Sequence, residues 1–301
     1  METNTAPKHN AGKEIAIGII CLLIFAGVYY YVLSQFNKES DTNSTILKDE
    51  AEDKDYIQVG VQIINIDPVK GDVQARMNFM PHGSYTDDDI TLNKDVTLYV
   101  NSVSGKNEHS FSKGKRMTPV DITLEMYNGI VTDYPFDSHD ADIEMLMTTT
   151  EKNDSGAVKE TIISVVKEVD FKASVHGFDV YEKREPGKES DYEEINLHIE
   201  RTKSVLFFSI FVMVLMWAFI VAVVLIILSI IVRNRKIEYS MFAFFATLLF
   251  ALPALRSLQP FVPPIGCLSD FIAFFWAEGI IALGLILMIT IWLKRPGVKQ
   301  G

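Results

Sequence analysis

Apolar residues along this chain follow two different patterns. Residues 15–35, 204–232, 239–257 and 271–293 are almost continuously apolar, and each run is near the ~20 residues that cross ~30 Å of hydrocarbon. Between 56 and 203 apolar and polar residues alternate instead, the period of half-buried strands. The alternation predicts strands at 56–67, 73–80, 96–101, 120–127, 141–149, 161–170, 171–181 and 195–202, separated by turn signals such as Asp67-Pro68 and Pro81-His82-Gly83. Short strands with no long amphipathic helix point to an antiparallel β-sandwich. The expected fold is therefore a membrane protein of mixed class, an exported β-sandwich domain with four transmembrane α-helices.

Charge orients the spans. Lys8 and Lys13 precede the first run, Arg233, Arg235 and Lys236 follow the second, and Lys294, Arg295 and Lys299 follow the fourth. Basic flanks belong on the inner face, which predicts a multi-pass protein of the cell membrane with both termini cytoplasmic. The plan is a cytoplasmic segment 1–14, a signal anchor 15–35, an acidic flexible stalk 36–55, the exported domain 56–203 and a second span 204–232. A cytoplasmic loop 233–238, a third span 239–257, an outer proline-rich loop 258–270, a fourth span 271–293 and a tail 294–301 complete it. The first run reads as an uncleaved anchor because it ends in Tyr29-Tyr30-Tyr31-Val32-Leu33 with no small-x-small cleavage site. Of the net charge of −11, residues 36–203 carry −15, with 19 Lys and Arg against 34 Asp and Glu. So acidic an exterior argues against nucleic acid or anionic lipid as a partner of this domain. The two cysteines, Cys21 mid-span and Cys267 in the outer loop, are poorly placed for a disulfide. Asn43 and Asn153 open glycosylation sequons, usable in a eukaryotic host.

The sharpest local motif is Asp133-Tyr134-Pro135-Phe136-Asp137-Ser138-His139. Pro135 fixes φ, Phe136 offers a core anchor, and the Asp137 carboxylate can close the turn by accepting backbone N–H groups. This segment resembles the Tyr/Phe-Pro-Phe-Asp turn of pentameric ligand-gated channels, over about ten residues; it reads as a structural corner or as a coupling loop. The acidic triplet Asp87-Asp88-Asp89 lacks the spacing and glycine of a calcium loop and reads as a solvated turn. His82, His109, His139, His176 and His198 show no ligand spacing, so no metal or other cofactor is expected.

In the membrane half, Pro253 is expected to kink or end the third span with Arg256 one turn further out. Pro260, Pro263 and Pro264 stiffen the loop, Asp270 is placed to cap the fourth span, and Glu278 lies ~12 Å deeper at ~1.5 Å per residue. Ionised groups so close to lipid need partners, and pairing of Arg256 with Asp270 or Glu278, Glu278 in particular, is the expectation. Such a set forms either an ion- or ligand-binding element or a salt bridge pinning helix to helix. Trp276 and Trp292 fall near the two membrane boundaries.

Leu252-Pro253-Ala254-Leu255-Arg256, Gln259-Pro260, Pro263-Pro264-Ile265-Gly266, Asp270, Phe275-Trp276-Ala277-Glu278, Trp217 and Tyr134-Pro135-Phe136-Asp137 together resemble the membrane proteins grouped as domain of unknown function 4436. The resemblance implies a match over nearly the whole chain and the same four-span plan, and it implies no activity. With no nucleophile and base pair identifiable, the expected function is a non-enzymatic receptor, sensor or accessory subunit whose sandwich binds another membrane or envelope protein or a further copy of the chain. The alternative is an oligomeric transporter or channel component using Arg256, Asp270 and Glu278.

Overall fold

The computed structural model describes residues 46–48, 54–152, 158–163, 165–170, 175, 177–183 and 193–294, with twelve positions between 16 and 34. Residues 1–42 form one unit, helical at those twelve positions, and residues 43–301 form a second. Much of the expected first span lies outside the described residues, as do both sequons, Asn43 and Asn153.

The second unit opens with two β-sheets. One orders its strands β1 (Ile46–Lys48), β9 (Val165–Asp170), β2 (Ile57–Asp67), β3 (Asp72–Pro81) and β6 (Val120–Glu125). The other runs β10 (Phe178–Glu182), β11 (Glu193–Arg201), β7 (Ser138–Lys152), β4 (Val96–Val100) and β5 (Glu108–Phe111), with β8 (Val158–Ile162) also on β7. Pairing is antiparallel except between β2 and β9. Period two explains the burial: Ile57, Val59, Val61 and Ile63 of β2 face inward, and Leu98, Ile143, Met145, Ile195 and Leu197 of the other sheet meet them in one core. A bulge between Ile63 and Asn65 shifts the parity, leaving Ile64 outside and returning Ile66 to the core. Each such side chain contributes ~1.5–3 kcal/mol when fully buried.

The alternation does not predict β5 (Glu108–Phe111), and three further differences from the expected strand plan have physical causes. Residues 46–48, assigned to the flexible stalk, pair with Lys48 opposite Glu168 and so add an edge strand. The single strand expected over 161–170 is two, because the chain leaves β7 after Ile162 and joins β2 from Val165, changing sheets. Of the expected strand 171–181 only the last part forms β10; residues 171–174 and 176 lie outside the described residues.

Three helices follow, each long and apolar enough to cross a membrane: α1 (Lys203–Val232), α2 (Tyr239–Ser257), and α3 (Phe275–Lys294) with its leading π-type turn Asp270–Phe274. A fourth such helix is not seen among the described residues. Val212, Met216, Val223, Phe245, Leu252, Ala277 and Ile281 form the core of the three-helix bundle. Gly284 of α3 makes this close packing possible, because an added Cβ would stand 2.7 Å from Ile227 Cδ1 and 3.0 Å from Phe245 Cε1. Of the two outcomes expected at Pro253, a kink or an end, the second does not occur: α2 continues through Ser257, the limit expected for this span, and the Ser257 hydroxyl donates to the Pro253 carbonyl at 2.9 Å.

Candidate functional site

The polar groups of greatest interest collect where sheet meets helices. The pairing of β7 with β11 sets Ser138 opposite Glu200, so Asp137, one residue before β7, faces Arg201, the last residue of β11. The Arg201 Nε donates to both Asp137 carboxylate oxygens at 3.0 and 3.1 Å, and its Nη2 to Oδ2 at 2.8 Å. Both residues are buried. Arg201 also lies opposite Phe178 across the β10–β11 pair, which explains why its guanidinium sits 4.5 Å from that ring centre and 5.2 Å from the ring of Tyr134. Burial pushes the Asp137 carboxyl up, yet hydrogen bonds from His139, at 3.3 Å, and from Arg201 outweigh it and hold the group below its usual range.

Tyr134 carries the junction onward. It is fully buried, precedes a cis peptide bond to Pro135, and its hydroxyl donates to the Pro260 carbonyl at 2.7 Å while lying 2.6 Å from Ser209 Oγ of α1. Burial raises its phenol to about 12, which keeps the proton in place as a donor. Val205, Cys267 and Val262 pack around it. A second tie comes from Gly177: at φ +91° and with Phe261 ring atoms 2.3 Å from where a Cβ would stand, only glycine fits. Its carbonyl accepts from the backbone N–H of Thr202, the residue that caps α1 by accepting from Val205 N at 3.4 Å.

The loop between α2 and α3 is closed from below by Arg256 and Asp270. Nε and Nη2 of Arg256 donate to the two Asp270 oxygens at 2.9 and 3.0 Å, and Nη2 reaches the Pro263 carbonyl at 2.7 Å. Asp270 Oδ2 accepts from the backbone N–H groups of Gly266 and Cys267 at 2.8 and 3.2 Å. Ser269 Oγ donates to the buried Gln259 Oε1 at 3.1 Å. Trp217 Nε1 of α1 donates to the Ile272 carbonyl at 3.2 Å, inside the π-type turn that opens α3.

These arrangements correct several expectations. Asp270 does not cap α3; its bonds run back into the loop. Arg256 pairs with Asp270 and not with Glu278, whose Oε2 is a buried oxygen with no hydrogen-bond partner. Phe136 is not a core anchor, being 54% exposed; the anchor is Tyr134. Asp137 closes the turn through a side-chain guanidinium, not through backbone N–H groups. Asp88 behaves as expected of a turn residue, accepting from the N–H groups of Ile90 and Thr91 at 3.0 and 2.7 Å.

Sequence reasoning assigned no partner to Arg201, Ser209, Gln259 or Phe261. Arg201 had a usable signal, since the parity of two neighbouring strands sets it against Asp137. Ser209 had a weaker one, a hydroxyl in an otherwise apolar stretch. The pairing of Phe261 with Gly177 depends on tertiary packing alone.

With this geometry in view, comparison with known families is informative. The family model of the domain of unknown function DUF4436 matches residues 47–199. The chain belongs to this family. A separate model, the domain of unknown function DUF8686, matches residues 201–295. The DUF4436 match thus covers the two-sheet domain and stops short of the helices, so the whole-chain extent implied by the resemblance is divided between two models. The division falls at Glu200 and Arg201, the point where sheet gives way to helix. No curated protein matches this chain.

Proposed function

We propose that this DUF4436 member is an integral membrane protein of the cell membrane acting as a non-enzymatic receptor, sensor or accessory subunit. In this reading the sandwich is exported and binds a membrane or envelope protein or a further copy of the chain, and both termini are cytoplasmic. The observation that carries it is the junction: Asp137 holds Arg201 at the head of α1, and Tyr134 holds both Ser209 of α1 and the Pro260 carbonyl of the α2–α3 loop. A partner that shifts the turn at 134–137 must therefore displace two helical connections at once. The buried acids of the junction are already committed to arginines, which supports a mechanical role over a catalytic one.

The alternative reading, a transporter or channel component using Arg256, Asp270 and Glu278, draws on the unbonded Glu278 oxygen, because an intramembrane carboxylate without a partner is a functional candidate. Native mass spectrometry of the full chain from a mild detergent separates the two. An envelope protein bound at fixed stoichiometry and released by Asp137→Ala is the expected result. A discrete homo-oligomer that conducts ions in vesicles, with conductance abolished by Glu278→Gln, overturns it.

A further inference from the structure

Residues 257–269, which join α2 to the π-type turn leading α3, contain no acidic or basic residue. Their burial is the reverse of what water favours. Gln259 and Ser269 are buried, as are Arg256 and Asp270 at the two ends. Leu258, Phe261 and Ile265 are instead 64%, 51% and 67% exposed, and Pro264 is exposed beside them. The one exposed polar side chain of the segment, Ser257, turns its hydroxyl onto the Pro253 carbonyl. Apolar side chains gathered on one short surface segment mark an interaction site.

The backbone of the segment has little need of water either. Pro260, Pro263 and Pro264 have no N–H, and the N–H groups of Leu258, Gln259, Gly266 and Cys267 reach protein acceptors. The carbonyls of Pro260 and Pro263 accept from Tyr134 and Arg256. Irregular backbone close to lipid is tolerated where protein satisfies it in this way. Helix length sets the depth: the 19 residues of α2 extend ~28 Å, so if α2 crosses ~30 Å of hydrocarbon both its ends lie at the boundaries. Leu258 directly follows its last residue. We propose that residues 257–265 form a lipid-contact surface, with Leu258, Phe261, Pro264 and Ile265 seated at the headgroup–acyl boundary of the leaflet on the sandwich side. The occupant is the upper part of the acyl chains, and a contact without charge selects no headgroup. The Pro260 carbonyl that holds Tyr134 lies within the segment, so packing of the leaflet bears on the junction. The surface goes beyond the receptor reading and rests only on the helices crossing a bilayer.

The test uses the full chain in nanodiscs of equal phosphatidylcholine and phosphatidylglycerol, with the photo-cross-linker p-benzoylphenylalanine in place of Ile265 or, as a control, of Ile90. Ile90 is 52% exposed beyond the end of the sandwich where Val96 pairs with Thr149, away from α1. After irradiation, intact mass spectrometry should find adducts of both phospholipids at position 265 and none at position 90. An adduct to a second copy of the chain in place of lipid would show the face covered by protein and overturn the proposal. Adducts of phosphatidylglycerol alone would make this a headgroup site and overturn the acyl assignment, and equal lipid adducts at both positions would overturn the surface. The Leu258→Asn, Ile265→Asn double variant needs no cross-linker. Facing water, such substitutions are close to neutral; facing lipid, they exchange acyl contact for unsatisfied amides, so Tm in the same nanodiscs should fall. An unchanged Tm overturns the surface. Alkaline carbonate extraction of membranes carrying the chain separates the two premises: release overturns bilayer placement and surface together, and retention leaves the cross-link and the Tm to decide the surface.

Discussion

At the scale of residues, the junction depends on a few buried polar atoms that bond to one another across elements. Removing one member of a buried ion pair strands the other, at a cost of ~3–5 kcal/mol, so Asp137→Ala should destabilise the sandwich by that order in thermal unfolding. The pH dependence follows from the depressed carboxyl. Its stabilising effect is present above the unfolded value of ~3.9 and is lost as pH falls through the lower folded value. The gap in Tm between wild type and Asp137→Asn should therefore stay constant from pH 7 to about pH 4 and narrow below that; a gap that closes near neutrality would implicate a different group. Tyr134→Phe keeps the ring in its pocket but leaves the Pro260 carbonyl without its donor, costing ~1–3 kcal/mol. Hydrogen exchange across 258–266 should rise in that variant while β2 and β7 stay protected.

Elements differ in how far the sequence reveals them. The apolar runs 204–232 and 239–257 anticipate Lys203–Val232 and Tyr239–Ser257 to within a residue, because a continuous apolar stretch bounded by charge has one economical reading. The strands were legible where alternation is strict, as along Ile57 to Ile63. They were less so where the chain changes sheets between Ile162 and Val165, since parity reports which face is buried but not which neighbour is paired. Arg256 and Asp270 were legible as a polar pair; the choice between Asp270 and Glu278 was not, because a spacing of eight puts both on nearly the same helix face and does not report how far into the bundle Arg256 reaches. At Gly284 a small change discriminates packing from tolerance. Gly284→Ala should cost ~1 kcal/mol or less, as Ile227 Cδ1 lies at the far end of a flexible side chain, whereas Gly284→Leu should separate α3 from α1 and α2. Proteolysis of the reconstituted protein would read the difference, and equal resistance of the two variants would argue against close packing at this position.

At the scale of the whole molecule, the two polar pairs bracket one loop: Arg201 faces it from the sandwich, and Arg256 closes it from within the bundle. If the lower pair is purely structural, apolar replacement of both members should recover most of what a single replacement loses. Asp270→Leu alone should cost ~3–5 kcal/mol, and the Arg256→Met, Asp270→Leu double variant considerably less, a difference measurable by detergent-phase thermal unfolding. Partner binding that disappears in this stable double variant would assign the pair a role in signalling as well. The lengths of the helices add a constraint. At ~1.5 Å per residue, the 30 residues of α1 extend ~45 Å and the 19 of α2 only ~28 Å. If these helices cross a bilayer whose oily layer is ~30 Å deep, α2 sets the depth at which the molecule sits, and α1 exceeds that depth by about two to three turns. With the end of α1 level with the start of α2, that excess falls at the first residues of α1, and Ser209, six residues in, lies within it; the ring of bonds around Tyr134 would then ride above the oil like a collar at the waterline.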